Sequence, residues 1–274
     1  MSRERNSPGA VILDMLRSAR SRQRSARSLI AAGALFGFSE NTVRVTLSRL
    51  ASRGLVESPA RGLYRLSEQT DALNDFVERW RLGEARTRPW RRGAWLFAHL
   101  ATPGANEPAT LLWALDALGF REIRRGLFAR PDNLAMTTAE LRTLGQSIGL
   151  ASDVLLLAGE PEGDPLPAAW LEAWQPETLN ADYANAVQRL ARSAARLPQL
   201  PAAEACLECF SLGGEMIHRL AKDPLLPDGL VDTQAREALW RAMLAYDVQG
   251  KEIWAAGKEE ALRRMPRPQL ATAS

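Results

Sequence analysis

Ser25 to Leu66 reads SARSLIAAGALFGFSENTVRVTLSRLASRGLVESPARGLYRL, and this stretch decides the reading of the chain's start. Ala26, Leu29, Ile30, Ala32 and Leu35 recur at roughly helical spacing, which predicts a short helix with one apolar face. Gly37 supplies a position that turns without steric cost, and Phe38 is placed to pack beneath that turn. Ser39 stands where an N-cap belongs, its hydroxyl positioned to accept from the free amides of a second helix. In that helix Val43, Leu47 and Leu50 fall on one face, while Glu40, Asn41, Arg44, Val45, Ser48 and Arg49 fall on the other. Gly54 ends it in the manner of a C′ glycine. Leu55-Val56-Glu57 and Leu63-Tyr64-Arg65-Leu66 then read as two strands joined through Ser58-Pro59-Ala60-Arg61-Gly62. Helix, turn, capped helix and basic hairpin together are the layout of a winged helix-turn-helix, whose second helix enters a DNA major groove.

Base edges in that groove are read chiefly by Arg and Lys on guanine and by Asn and Gln on adenine. Asn41 and Arg44 are the expected base contacts, with Ser48 beside them. Ser39, Thr42, Arg49 and Arg61 are the expected contacts to the DNA backbone, Arg61 from the hairpin tip. Charge points the same way. Residues 1–66 hold twelve Arg and four acids and so carry +8, whereas the whole chain carries +3, leaving −5 for the remainder. Positive charge is thus concentrated where a phosphate backbone would lie.

A chain of 274 residues has room for two or three domains, and 46% hydrophobic with 24% charged residues is an ordinary globular composition. No run approaches the apolar length of a membrane span, and the amino terminus reads as neither leader nor anchor. Two cysteines make no disulfide framework, and a cytoplasmic protein is expected. The basic residues are Arg apart from three Lys.

Beyond the wing, Ser67 caps a predicted helix in which Leu73, Phe76, Val77 and Trp80 share a face. Arg79 to Trp95 reads as a basic, irregular linker: a solvated connector whose tryptophans anchor it to its neighbours is favoured over one that contacts phosphates of DNA or an anionic effector, with Trp80, Trp90 or Trp95 stacking. From Gly93 to about Glu160 the pattern is strand (94–100), helix (108–118), strand (120–129), helix (138–148) and strand (154–158), a β-α-β-α-β order suggesting a small ferredoxin-like α+β unit. From Pro167 the chain reads as helical, with a proline-bounded turn at Asp223 to Pro227 and a loose tail over 266–274. The expected division is a DNA-binding domain over 1–66, a linker helix and basic linker over 67–92, an α+β domain over 93–166 and a helical domain over 167–265. The fold class is α+β, mostly helical.

Chemistry for catalysis is missing from this pattern: there is no phosphate loop, dinucleotide fingerprint or nucleophile elbow, so no catalytic residue is assigned and an enzyme is not expected. Cys206 and Cys209 have the spacing of a metal knuckle, but they lie on a helical face without a second such pair, and core packing is the favoured reading. Neither metal nor cofactor is expected. A nuclease built on the α+β unit would place carboxylates at the end of its first strand, and Gly93 to Asn106 contains none.

Three segments carry a resemblance: LIAAGALFGFSENTVRVTLSRLASRGLV, GFREIRRGLFARPDNL and KDPLLPDGL, at the start, middle and end of the chain, resemble the PaaX family of transcriptional repressors. The resemblance implies a cytoplasmic homodimeric repressor of aromatic-acid (phenylacetate-type) catabolism genes. It also implies a winged helix, a ferredoxin-like (Cas2-like) middle and a helical carboxyl-terminal domain. In that family an aryl-acetyl-coenzyme A thioester releases the protein from a pseudo-palindromic double-stranded DNA operator. The chain departs from it at WLFAHLATPG, which lacks the aspartate commonly found near the end of the first middle-domain strand. From charge alone, Arg121, Arg124, Arg125 and Arg130 are the expected contacts to an acyl-coenzyme A effector. The alternative reading is a nucleic-acid-binding interaction or scaffold protein without preference for a duplex sequence.

Overall fold

A computed structural model describes residues 7–17, 19, 23–100, 108–160 and 168–264. The expected loose tail over 266–274 lies outside the described residues, as do positions 101–104 of the departing WLFAHLATPG segment. The architecture is α+β and mostly helical. The chain divides into two compact units that do not follow sequence order: one lies within Met1–Asp71, Ser193–Gly214 and Tyr246–Ser274, the other within Ala72–Arg192 and Glu215–Ala245. Among the described residues no helix is long and apolar enough to cross a membrane.

The first unit begins with α1 (Pro8–Arg17), capped by Ser7, whose hydroxyl accepts from the Ala10 amide at 3.3 Å. Val11, Ile12, Met15 and Leu16 recur at helical spacing and are all buried. β1 (Gln23–Ser25) leads into α2 (Ala26–Leu35), and Ser25 caps α2 by accepting from Ser28 N at 3.2 Å. Gly37 makes the turn with φ 74°, a backbone state open to glycine at no steric cost. α3 (Glu40–Ser52) follows, then β2 (Val56–Glu57) and β3 (Leu63–Leu66). β3 lies between β1 and β2 in a small antiparallel sheet, with Gln23 opposite Arg65 and Val56 opposite Leu66. The sequence reading foresaw two of these strands. β1 is polar and three residues long, and its pairing comes from the open edge of β3.

Val11, Ile12, Leu16, Leu29, Val43 and Leu47 form the centre of this unit's core. α2 and α3 meet at Gly33, where a β-carbon would stand 2.7 Å from Val43 Cγ2. The close approach needs a residue without a side chain at that position. At the end of α2, Phe36 stacks on Phe38 with ring centroids 5.9 Å apart. It also meets Phe210 edge-on at 5.2 Å and Trp254 at 5.5 Å. Rings from far along the sequence therefore pack on the turn before α3.

The second unit starts with α4 (Glu68–Glu78), whose later residues it contains, and a 3₁₀ segment over Arg79–Arg86. This segment corrects the expectation of a solvated connector. Trp80 and Arg86 are buried, and Gly83 adopts φ 51° where any side chain would overlap the Trp240 indole. Arg236 is fastened to the same segment by a bidentate pair with Glu84, both N···O distances 2.8 Å.

The sheet of this unit has four strands, β4 (Trp95–His99), β5 (Arg121–Arg124), β6 (Leu127–Pro131) and β7 (Leu155–Gly159). Their order is β5-β6-β4-β7, every pair antiparallel. The helices α5 (Ala109–Ala117) and α6 (Thr138–Ser147) complete a β-α-β-β-α-β succession. The single strand expected over 120–129 is in fact a hairpin: the chain reverses at Arg125 and Gly126, Gly126 taking φ 75° and donating its amide to Glu122 Oε1 at 2.8 Å. Alternation continued through the turn and hid the reversal. Along β4, Leu96 and Ala98 face a core with Leu111, Leu115, Leu141 and Phe76. Trp95 faces the other way, against Trp174, Leu226 and Val231, as strand pleating requires.

The helices α7 (Ala168–Glu172), α8 (Pro176–Arg196), α9 (Ala202–Ala221) and α10 (Thr233–Arg264) make up the rest, and the last three supply residues to each unit.

Candidate nucleic-acid interface

The candidate site is the outward face of α3 with the β2–β3 turn. The apolar spacing of α3 fixes its orientation: Val43, Leu47 and Leu50 are buried, so Asn41, Arg44, Val45, Ser48 and Arg49 are exposed. Ser39 starts the helix as the sequence predicts, its Oγ accepting from Thr42 N at 3.1 Å and sharing a hydrogen bond with Thr42 Oγ1 at 2.8 Å. Those two hydroxyls hold the amino-terminal turn, where free backbone amides and the helix dipole favour an anion. Gly54 follows the helix with φ 69°.

Arg44 is not a lone cation. Glu40, one turn earlier, accepts from Arg44 Nε at 2.8 Å and lies 2.7 Å from Nη2. Both side chains are more than half exposed, so the pair is worth at most about 1 kcal/mol. It holds the guanidinium along the helix and yields it readily to a stronger acceptor. Asn41 and Ser48 stand exposed on the same face. Val45, 40% exposed, adds an apolar contact surface of the kind that meets a thymine methyl. Its character was visible in the outward-facing sequence, yet it was not counted as a contact.

In the β2–β3 hairpin, Arg65 is engaged by Glu57 across the strands, Nη2–Oε2 2.8 Å. Arg61 is exposed at the tip, between Pro59-Ala60 and Gly62, whose φ is 76°. The tip is tightened by Ser58, whose hydroxyl lies 3.0 Å from both the Ala60 and Leu63 carbonyls. Arg27 and Arg53 are exposed at the start of α2 and the end of α3, two cations beyond those expected from the sequence.

The four arginines expected at an effector site have different surroundings. Arg121 pairs with Asp116 at 2.9 Å, and Arg124 and Arg125 are exposed at the β5–β6 hairpin. Arg130 is buried, with donors directed to the Leu118, Pro131 and Pro224 carbonyls and to Asn133 Oδ1. Burial pushes its guanidinium down to about 9. Cys206 and Cys209 are buried in the first unit, the Cys206 thiol directed at the Ile253 carbonyl. Burial pushes both thiols up to about 11. Among the described residues no three His, Cys, Asp or Glu side chains are grouped to hold a metal ion.

Residues 10–70 match the family model described as PaaX-like protein, which bears out over that span the resemblance drawn from the sequence. Among solved structures, the uncharacterized protein Rv0674 from Mycobacterium tuberculosis is similar at a TM-score of 0.63 and 23% identity, over 92% of this chain and 99% of that one. At this identity the likeness speaks for a shared fold. No curated protein matches the chain.

Proposed function

We propose, with the PaaX-like match over residues 10–70 as premise, that this chain is a sequence-specific DNA-binding transcriptional regulator. In this reading Ala26 to Leu66 forms a winged helix-turn-helix, α3 enters the major groove, and the wing follows the backbone. Asn41, Arg44 and Ser48 contact bases, while Ser39, Thr42, Arg49 and Arg61 contact phosphates. The second unit is a ferredoxin-like arrangement joined to helical segments, an assignment supported by its β-α-β-β-α-β succession and sheet order.

The observation that carries the reading is the division of α3 itself. Three apolar residues are buried on one side, while a polar, cationic face at the helix start stays exposed. An exposed face with Asn and Arg one turn apart, on a helix with its back fixed to a core, is the geometry of base readout.

The finer reading is a cytoplasmic repressor of aromatic-acid catabolism genes, acting as a homodimer on a pseudo-palindromic operator. An aryl-coenzyme A-type effector releases it by binding the arrangement that does not fit DNA more tightly. Arg121, Arg124 and Arg125 are the effector-phosphate contacts in this reading, Arg130 being buried. The reading assigns no enzymatic activity. Release of most of the bound protein requires the effector to prefer one state by about tenfold or more.

Footprinting and fluorescence anisotropy on the chain's own promoter test the reading. A protected two-fold site, bound about 1,000-fold or more tightly than scrambled duplex, is the expected result. Equal affinity for operator and scrambled DNA would overturn it in favour of a nucleic-acid-binding scaffold.

A further inference from the structure

The first unit is assembled from three stretches of sequence, Met1–Asp71, Ser193–Gly214 and Tyr246–Ser274, and the PaaX-like match over residues 10–70 lies within the first of them. The other two stretches meet it at the end of α2, where the chain turns toward α3. Phe36 is the C-cap of α2, and its ring centroid lies 5.2 Å from that of Phe210 on α9 and 5.5 Å from that of Trp254 on α10. At such separations edge-on and offset aromatic pairs attract. One residue earlier, Leu35 meets α10 at Gly257, where a β-carbon would stand 3.6 Å from Leu35 Cδ1 and 2.9 Å from Cys206 Sγ. α10 therefore packs closely on both α9 and the end of α2, through a position that has no side chain.

Only Gly37, Phe38 and Ser39 separate Phe36 from the first residue of α3. Gly37 is exposed, and the space where its side chain would be is open, so the glycine's own packing does not hold the turn. Two amides hold it from one side: Gly37 N donates to Ala34 O and Phe38 N to Gly33 O, each at 3.0 Å. The rings hold it from the other, with Phe38 stacked on Phe36 and Phe36 against Phe210 and Trp254.

What this turn fixes is the start of α3. Val43, Leu47 and Leu50 anchor the back of that helix, while Asn41 and Arg44 stand exposed in its first turns. Hydrogen bonds to base edges weaken steeply with misalignment, so a displaced helix start costs base contacts more than phosphate contacts. Apparent affinity scales with the fraction of molecules that hold the fitting geometry.

We infer that Phe210 and Trp254 are positioning residues for DNA readout: they brace Phe36 and thereby set the place of the amino-terminal turn of α3. The inference rests on the proposed reading of α3 as the helix that enters DNA. It makes two carboxyl-terminal segments part of the DNA-binding body, beyond the 1–66 span expected from the sequence.

The test uses the full chain. Phe210→Leu and Trp254→Leu keep an apolar side chain and lose the ring, while Trp254→Phe keeps a ring. Tyr246→Phe is the comparison: it belongs to the same unit and loses the hydrogen bond shared with Ser193 Oγ at 2.8 Å, yet removes no ring from Phe36. Hydrogen exchange over residues 36–43 and anisotropy titrations on operator and scrambled duplex are measured for each. An aromatic pair is worth up to about tenfold in an equilibrium constant. Both Leu variants should therefore exchange about fivefold to tenfold faster over 36–43, with α1 exchanging as in the parent. They should lose operator affinity by a similar factor, with scrambled-duplex affinity and the salt slope kept. Trp254→Phe should regain most of both. Tyr246→Phe should lower the thermal unfolding midpoint and leave exchange over 36–43 and operator affinity unchanged. The brace is overturned if the Leu variants exchange over 36–43 as the parent does, if they bind operator as the parent does, or if Tyr246→Phe shows the same losses. A parent that binds operator and scrambled duplex equally overturns the regulator reading instead, and exchange over 36–43 still decides whether the rings hold the turn.

Discussion

Gly33 on α2 and Val43 on α3 are the point of closest approach between the two helices: a β-carbon at position 33 would lie 2.7 Å from Val43 Cγ2. Valine is stiff about χ1 and cannot swing aside cheaply. The spacing of α3 from its support is therefore set by the absence of one methyl group.

Gly33→Ala should destabilise the first unit. Overpacking costs about 1–3 kcal/mol, while replacing glycine in a helix returns about 1 kcal/mol. Denaturant unfolding should show a net loss, and Val43→Ala in the same chain should restore part of it. A stability equal to the parent's would mean that the helices part without strain.

Arg44→Ala should weaken operator binding by about 1–3 kcal/mol while leaving scrambled duplex much less affected. Glu40→Gln should act in the opposite sense on non-specific binding, strengthening it, because it frees Arg44 and removes an acid from the first turn of α3. Anisotropy titrations on both duplexes measure this; unchanged operator affinity in Arg44→Ala would remove it from the base contacts.

Arg61→Ala has a different signature. The residue stands at an exposed turn and its expected partner is a phosphate, so specific and random DNA should lose affinity alike. The slope of log affinity against log salt should fall by about one. An unaltered slope would mean that the wing does not touch the backbone.

The two buried thiols predict a pH effect whose sign follows from their direction of shift. Cys206 and Cys209 are raised from 9.0 to about 11 by burial, so the folded chain keeps protons that the unfolded chain loses. The stability contributed is fully present below pH 9 and is lost as pH rises toward 11. Denaturation midpoints should fall across that window, and Ellman's reagent at pH 8 should react about 100-fold more slowly with the folded chain than with the unfolded one. Rapid labelling of the folded chain would show that the thiols are reached by solvent.

Where local chemistry decides structure, the sequence was readable. Ser39, the Val43-Leu47-Leu50 spacing and Gly54 define α3 by capping, periodicity and termination, all within sixteen residues. α1 left a comparable signal in Val11, Ile12, Met15 and Leu16, a helical spacing that lies outside the Ser25–Leu66 stretch. β1 had no signal of its own, since three polar residues become a strand through a partner forty positions away. The β5–β6 reversal was marked by Gly126 alone. Nor is there a local sign that Arg86 and Arg130 are buried while Arg124 and Arg125 are exposed; the carbonyls of Leu220 and Pro224 receive the first two, and only the fold brings those into reach.

The rings around Phe36 set an order of events during synthesis. Phe210 and Trp254 must have left the ribosome before the aromatic cover over the α2–α3 turn is complete. A nascent chain halted after residue 71 would leave Phe36 without either ring, although every residue of α3 had been made. Completion of this amino-terminal turn thus waits on α10, the last helix among the described residues, against the usual amino-to-carboxyl sequence of domain folding.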